Sequence, residues 1–235
     1  MPAATVKSAY LSGVRDGFPF ILVAAPFALL FGVLATEAGL TLAQSMGFSI
    51  VVIAGASQFA ALQLMVDNAA IGLVLLAALA VNLRMAMYSA AMVPWLGAAP
   101  LWQRALVAYM TFDQCYIVSA ARFEENPTLT VPQRIAFFLG VATPLVPVWI
   151  AMTAVGALVG TAIPPEYALD FALPITFLAM IGPMLRTLAH GVAALTSMLV
   201  GLALVALPSG TGLLIAAAAA MVAGVAVESW QERRT

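Results

Sequence analysis

Three polar side chains, Asn82, Arg84 and Asp113, stand inside stretches of the sequence that are otherwise long and apolar. Asp113 is nine residues from Arg104 and nine from Arg122, which is about 13 Å from each at the rise of a helix. A carboxylate at that depth in an apolar segment is costly, and it marks a candidate functional site in a membrane protein. The first candidate chemistry is therefore recognition of a charged solute or transfer of a proton.

Asp113 is compatible with three functional roles and one structural role. The carboxylate could pair with a cation, carry a coupling proton or face a water-filled cavity. The structural alternative is an ion pair or hydrogen bond that holds two helices together. Arg84 is the obvious cationic partner, because it lies too deep in its own apolar segment to reach the membrane surface comfortably.

Asn82 and Arg84 cannot both face one cavity if the helix that carries them is regular. Residues two apart on a helix point about 200° away from each other. Arg84 shares its face with Tyr88, whereas Asn82 shares its face with Met85 and Ser89. One stripe is predicted to face a solute pathway and the other a neighbouring helix, and the sequence leaves open which is which.

A run of small and polar residues, Ala54–Phe59, interrupts another apolar segment. Lipid tolerates irregular backbone only where protein encloses it or where it lines a cavity. A half-helix that begins near Ser57 would direct its positive dipole end at an anion, with Gly55, Ala56, Ser57 and Gln58 around a substrate carboxylate. The alternative is close helix packing through small residues, with Ser57 bonded back to its own helix.

The composition places these residues in a membrane protein. The chain is 64% hydrophobic and 8% charged, with a mean hydropathy of +1.07, whereas a soluble domain carries roughly 25% charged residues. We predict an all-α, polytopic helical membrane protein with one integral membrane domain over residues 1–235. Residues 1–16 are expected to form a short amphipathic segment on the inner membrane surface. The net charge of −1 gives no reason to expect nucleic acid as a partner.

The hydropathy pattern predicts about eight transmembrane helices, with broken helices near the midplane. Each crossing needs about 20 mainly apolar residues. The sixth and seventh candidates are separated by almost nothing, so the alternative is seven spans with a kinked pair. The candidate spans are 18–37, 42–66, 69–94, 104–122, 134–160, 167–185, 187–207 and 210–228.

The basic residues predict that both termini are cytoplasmic, because positively charged loops remain on the cytoplasmic side. With the N-terminus inside, Arg104 is the one basic loop residue on the outer side. Short loops and the absence of targeting signals favour a bacterial plasma membrane, which the chain crosses several times. The basic residues on the predicted cytoplasmic side are Lys7, Arg15, Arg122, Arg134, Arg186, Arg233 and Arg234.

Several motifs in this order resemble the AzlC family, the large subunits of bacterial branched-chain amino acid exporters. They are Pro26-x5-Gly32, the run Ala54–Phe59, Asn82-Leu83-Arg84 with Tyr88, and Thr111-Phe112-Asp113. The resemblance extends over nearly the whole chain. It implies export of valine, leucine, isoleucine or a similar apolar amino acid, together with a small AzlD-like membrane subunit as partner. Burial and the matching motifs assign proton coupling to Asp113 and substrate binding to Gly55, Ala56, Ser57, Gln58, Asn82, Arg84 and Tyr88.

Other classes of protein fit the sequence less well. His190, the one histidine, is predicted far in depth from Ser57, so a hydrolytic dyad is not expected and the chain is predicted not to be an enzyme. The single Cys115 excludes a Cys-rich metal site, and we expect no metal or cofactor. A permease subunit driven by a separate ATPase and a passive channel remain the alternatives. Small-residue faces at Gly156-x3-Gly160 and at Ala216/Ala220/Gly224 could contact the small subunit or pack within the chain.

Overall fold

A computed structural model of the chain describes residues 5–162, 185, 187–205 and 211–233, and every regular element in these residues is helical. The helices divide between two compact units, the first formed by residues 1–58 and 79–164 and the second by residues 59–78 and 165–235. The helices are α1 (Val6–Gly17), α2 (Ile21–Glu37), α3 (Leu42–Val51), α4 (Gly55–Val66), α5 (Ile71–Ala91), α6 (Val93–Leu96), α7 (Leu101–Tyr109), α8 (Asp113–Glu125), α9 (Val131–Gly160), α10 (Leu188–Ala203) and α11 (Thr211–Glu232).

Three helical runs in the described residues are long and apolar enough to cross a membrane: Val6–Glu37, Ile71–Ala91 and Val131–Gly160. The chain is therefore an all-helical polytopic membrane protein, as its composition predicts, but the count of eight crossings is not confirmed. Most of the predicted span 167–185 and the ends of the spans 187–207 and 210–228 lie outside the described residues.

In the first unit, α1 and α2 form a continuous 32-residue run that packs along α9 through glycines. A Cβ atom on Gly13 would lie 2.1 Å from the carbonyl oxygen of Phe137, and one on Gly32 would lie 2.2 Å from that of Thr153. The two runs are parallel, since later residues of one contact later residues of the other. The predicted surface segment 1–16 thus contributes a helix that contacts α9, and its depth in the bilayer stays a prediction.

A non-helical break at Val52–Ala54 separates α3 from α4. Gln58, in the first turn of α4, donates from Nε2 to Oγ of Ser49 in α3 over 3.1 Å. In one straight helix these two residues would be about 13 Å apart along the axis. The first turn of α4 therefore lies beside the last turns of α3, and the chain bends sharply at the break.

A second break at Met110–Phe112 divides the predicted span 104–122 into α7 and α8. The end of α8 returns to the place where α7 starts: the rings of Trp95 and Phe123 lie 5.8 Å apart, and α7 begins shortly after Trp95. The start of α8 lies further back along α5, beside Tyr88. Helices α7 and α8 therefore form a hairpin with the break at its tip, and the prediction of one continuous crossing is wrong.

This hairpin places Arg104 at the same end of the first unit as Arg122 and Arg134. Arg134 donates from Nη1 to the carbonyl oxygen of Trp95 over 3.3 Å, and Arg104 lines a cavity with Leu96. The prediction that Arg104 and Arg122 lie on opposite sides is therefore wrong. Average hydropathy cannot distinguish two apolar half-helices that turn back from one helix that crosses, which is the physical reason for the error.

In the second unit, α10 and α11 pack antiparallel through small residues. A Cβ atom on Gly224 would lie 3.4 Å from that of Ala193, and one on Gly201 would lie 3.9 Å from that of Ala216. In the first unit, a Cβ atom on Gly156 would lie 2.0 Å from a carbonyl oxygen of α2. Both predicted small-residue faces are thus occupied by helices of the same chain.

Candidate functional site

Asp113 is the first residue of α8 and forms an ion pair with Arg84 of α5. Its Oδ2 lies 3.1 Å from Nη1 of Arg84, and the side chains of Arg84 and Asp113 are 26% and 33% exposed. The start of α8 adds a favourable interaction, because a helix dipole is positive at its N-terminus. The structure thus brings two separately predicted site residues into direct contact, shielded in large part by protein.

Tyr88 joins this ion pair from the next turn of α5. Its hydroxyl donates to Oδ1 of Asp113 over 3.0 Å, so both carboxylate oxygens of Asp113 have a partner. The ring of Tyr88 stacks on that of Tyr116, with centroids 4.3 Å apart and planes inclined by 9°. Arg84 and Tyr88 are four residues apart and reach Asp113 from one face of α5. We refer to Arg84, Tyr88 and Asp113 as the charged triad.

Asn82 lies outside the charged triad. Its Oδ1 is buried and has no hydrogen-bond partner among the residues that the structure describes. Ser89, on the same stripe of α5 as Asn82, lines a cavity with Thr111. The contacts of Arg84 and Tyr88 with Asp113 show that their stripe faces the start of α8. A role for Asn82 in binding stays a prediction.

The residues after the first break are held by a buried network. Ser57 and Gln58 are fully buried, and Ser57 donates from Oγ to the carbonyl oxygen of Ala54 over 3.0 Å. Gln58 donates to Ser49, whose Oγ lies 2.8 Å from Oγ1 of Thr153. Thr153 donates its own proton to a carbonyl oxygen of α9 over 2.9 Å, so Ser49 donates to Thr153. Oε1 of Gln58 has no hydrogen-bond partner in the described part of the chain.

Gly55 and Ala56, which precede this network, are half-buried. A Cβ atom on Gly55 would lie 2.8 Å from the ring of Trp149, so glycine here permits the aromatic ring to approach the backbone. Ser57 is bonded back to its own chain, which is the structural alternative for this run. Binding of a substrate by Gly55, Ala56, Ser57 or Gln58 stays a prediction.

The two breaks in the first unit are linked directly. Tyr109, the last residue of α7, donates its hydroxyl to the carbonyl oxygen of Ile50 near the end of α3. Both breaks are enclosed by protein, because Ile53, Ala54 and Thr111 are buried. Irregular backbone at membrane depth requires such enclosure. The charged triad therefore lies at the tip of one hairpin, and that tip contacts the neighbouring break.

The sequence interpretation missed four residues of this region: Ser49, Tyr109, Tyr116 and Thr153. Hydroxyl groups are common in apolar helices, so Ser49 and Thr153 carry no distinguishing signal. Tyr116 follows Asp113 by three residues, and helical spacing could have placed the two on one face. The contact of Tyr109 depends on a chain reversal that the sequence does not reveal.

The site offers two opposite charges to a ligand. Among the described residues, no group of three or more His, Cys, Asp and Glu side chains lies close enough to hold a metal ion. Asp113 and Arg84 present an acceptor and a donor of opposite charge next to a broken helix. Such an arrangement suits a small molecule that itself carries both charges.

A comparison with known proteins matches the part of the chain that contains this site. The AzlC family model, described as AzlC protein, matches residues 19–163, which contain the charged triad and both breaks. The inner membrane protein YgaZ of Escherichia coli is 25% identical over 74% of this chain and 73% of its own length. An uncharacterized membrane protein of Archaeoglobus fulgidus is 27% identical over 79% of this chain and 80% of its own length. No solved structure matches the chain.

Proposed function

This chain belongs to the AzlC family of membrane proteins, and from that premise we propose that it is a secondary transporter that exports branched-chain or similar apolar amino acids. The observation that carries the proposal is the ion pair between Arg84 and Asp113 at the tip of a broken helix, with Tyr88 on the second carboxylate oxygen. Substrate sites of secondary transporters are typically formed by discontinuous helices near the membrane midplane.

An amino acid zwitterion carries the two charges that complement this ion pair. Its ammonium group can bind Asp113 while its carboxylate binds Arg84, whose planar guanidinium suits a carboxylate. The substrate then replaces the internal pair, so neither side chain is left as an uncompensated charge in a partly buried place. Tyr88 keeps its hydrogen bond to Asp113 during the exchange and holds the carboxylate in position.

Proton coupling at Asp113 is the second part of the proposal. In the resting arrangement Arg84 and Tyr88 occupy both oxygens of the carboxylate. A proton can neutralise Asp113 only when the contact with Arg84 opens and no substrate ammonium group occupies the carboxylate. The proton and the substrate would therefore bind Asp113 in alternation, and this competition for one carboxylate would couple inward movement of protons to export.

The expected partner is a small AzlD-like membrane subunit, and the expected location is a plasma membrane, with both termini in the cytoplasm. The relative from Escherichia coli is named as an inner membrane protein, which supports this location. Within the first unit, Arg104, Arg122 and Arg134 lie at one end, and the positive-inside rule favours the cytoplasm for that end. The chain is accordingly proposed to be a transporter and not an enzyme.

Export of valine, leucine, isoleucine and methionine from cells loaded with dipeptides tests the proposal. The cells express the chain with and without its small subunit, and the variant Asp113→Asn is compared with Asp67→Asn. We expect at least about tenfold slower export in Asp113→Asn at normal protein level, because a hydrogen bond to a charged group contributes about 1.5–3 kcal/mol. Asp67 is exposed in the turn after α4 and accepts a hydrogen bond from Gln63, so its variant should export normally.

Four results would contradict separate parts of the proposal. Retention of all four amino acids, with or without the subunit, would reject the substrate class. Normal export by Asp113→Asn would reject the charged triad as the binding site. Export that continues unchanged after an ionophore collapses the proton gradient would reject proton coupling, and export that does not saturate would favour a passive channel.

A further inference from the structure

A cavity of about 160 Å³ lies between α5, α6 and α7 in the first unit. Its walls are mainly apolar, and Met92, Leu96 and Val107 are buried residues that form them. Thr111 lines one end, where its hydroxyl is already used in a 2.6 Å hydrogen bond to the carbonyl oxygen of Val107. Arg104 lines the other end. The interior of the cavity therefore suits an apolar group.

The end of this cavity with Thr111 lies near the charged triad, although no residue of the triad lines it. Thr111 lies two residues before Asp113, so their Cα atoms are at most about 7 Å apart, and Ser89, which also lines the cavity, directly follows Tyr88. From this end the cavity runs along α7 towards Arg104. An amino acid held by its charged groups at the triad would have its side chain beside the cavity.

We propose that this cavity binds the side chain of the transported amino acid and thereby selects the substrate. The inference rests on the proposed function and adds to it the place where selection occurs. An apolar cavity of about 150 Å³ holds one benzene molecule. By that measure the cavity accommodates the four-carbon side chains of leucine and isoleucine.

The apolar walls of the cavity also favour an aliphatic side chain over a polar one. A polar substrate side chain placed against Met92, Leu96 and Val107 finds no hydrogen-bond partner on these walls, and the loss of its hydrogen bonds to water costs about 1–3 kcal/mol in proteins. The polar lining residues Ser89, Thr111 and Arg104 lie at the ends of the cavity. Serine, glutamine and similar amino acids are therefore disfavoured. Alanine fits but fills the cavity poorly, so leucine and isoleucine bind it best.

Ala108→Leu tests the inference by filling the cavity, and Ala105→Leu is the matched control. Both alanines are exposed residues of α7, but Ala108 lines the cavity and Ala105 does not. Export of leucine and of alanine is measured in the same cells, loaded with dipeptides, with the small subunit present. We expect the leucine-to-alanine ratio to fall at least about tenfold in Ala108→Leu, since one methylene in an apolar pocket changes selectivity roughly 10–200-fold. Ala105→Leu should keep the ratio of the parent.

A second variant, Met92→Ala, changes the cavity in the opposite direction. Removing this long side chain enlarges the pocket, so export of phenylalanine relative to leucine should rise several-fold. Because Met92 is only 2% exposed, its protein level is measured alongside, and Ala108→Leu, at an exposed position, keeps the test decisive if Met92→Ala fails to fold.

The outcomes distinguish failure of the proposed side-chain pocket from failure of the proposed transport function. If the variants export amino acids but the leucine-to-alanine ratio in Ala108→Leu equals that in Ala105→Leu, the pocket is overturned and the transporter assignment stands. If the parent chain exports no amino acid in the presence of its subunit, the proposed function fails, and the pocket fails with it.

Discussion

The carboxylate of Asp113 receives two side chains of α5 at the same time, and this shared contact makes their partial burial tolerable. Arg84 supplies the opposite charge and Tyr88 supplies a neutral donor. Removing one partner of a buried pair costs about 3–5 kcal/mol, and the cost here is smaller because about a third of the Asp113 side chain is exposed. A pair of moderate strength suits a site that has to open for a substrate.

Tyr88→Phe tests whether the hydroxyl of Tyr88 positions Asp113. The variant keeps the ring that stacks on Tyr116 and loses the hydrogen bond to the carboxylate. We expect export to slow about tenfold or more at normal protein level, because a hydrogen bond to a charged group contributes about 1.5–3 kcal/mol. Tyr116→Phe, which also keeps the stacked rings, serves as control. Equal export by both variants and the parent would remove Tyr88 from the site.

At the scale of the helices, close contact between α1–α2 and α9 forms the frame that supports both breaks. The contact depends on glycines, because a Cβ atom on Gly32 would lie 2.2 Å from the carbonyl oxygen of Thr153. Thr153 also ends the buried network from Gln58 through Ser49. A change in the distance between α2 and α9 should therefore displace Thr153 and disturb its hydrogen bond to Ser49 beside the first break.

Gly32→Ala tests this frame, with Gly47→Ala as the control. The added methyl group at residue 32 collides with backbone, which cannot yield without moving a helix, whereas a Cβ atom on Gly47 meets nothing within 4 Å. We expect Gly32→Ala to lose about 1–3 kcal/mol of stability or more through overpacking. Gly47→Ala should gain up to about 1 kcal/mol from helix propensity. Thermal unfolding of the protein in detergent measures both, and a variant at residue 32 as stable as the parent would contradict the close packing.

At the scale of the molecule, the chain reversal between α7 and α8 decides which ends of the helices share a side of the membrane. The reversal places Arg104 next to Leu96, and Arg134 next to Trp95. It also places Asp113 at the tip of a hairpin instead of the middle of a crossing helix.

Cysteine labelling tests this reversal. In a Cys115→Ala background, single cysteines replace Arg104, Glu124 and Ala43, and intact cells are treated with a thiol reagent that does not cross membranes. The native Cys115 is the one cysteine of the chain, so the Cys115→Ala background has no native thiol that could react. We expect the cysteines at 104 and 124 to react alike and the cysteine at 43, at the start of α3, to react oppositely. If the cysteines at 104 and 124 react oppositely, the reversal is rejected in favour of one helix that crosses the membrane, in which these two residues are about 30 Å apart.

Composition and residue chemistry are enough to establish the class of the protein and its candidate residues. Composition requires a lipid environment for a chain with 8% charged residues, and the cost of a charge in that environment singled out Arg84 and Asp113. The pairing of these two residues was expected from their types. The motifs around them led to the AzlC family, which the match over residues 19–163 confirms.

The direction of the chain through the breaks and the surroundings of each polar group depend on contacts between residues far apart in the sequence. Hydropathy is a property of consecutive residues, so it reports that a segment is apolar but not whether the segment crosses or turns back. The reversal at Met110–Phe112 depends on contacts between distant residues, such as Trp95 with Phe123. For the same reason the cavity beside the charged triad, lined by residues from three helices, cannot be seen in any one stretch of sequence.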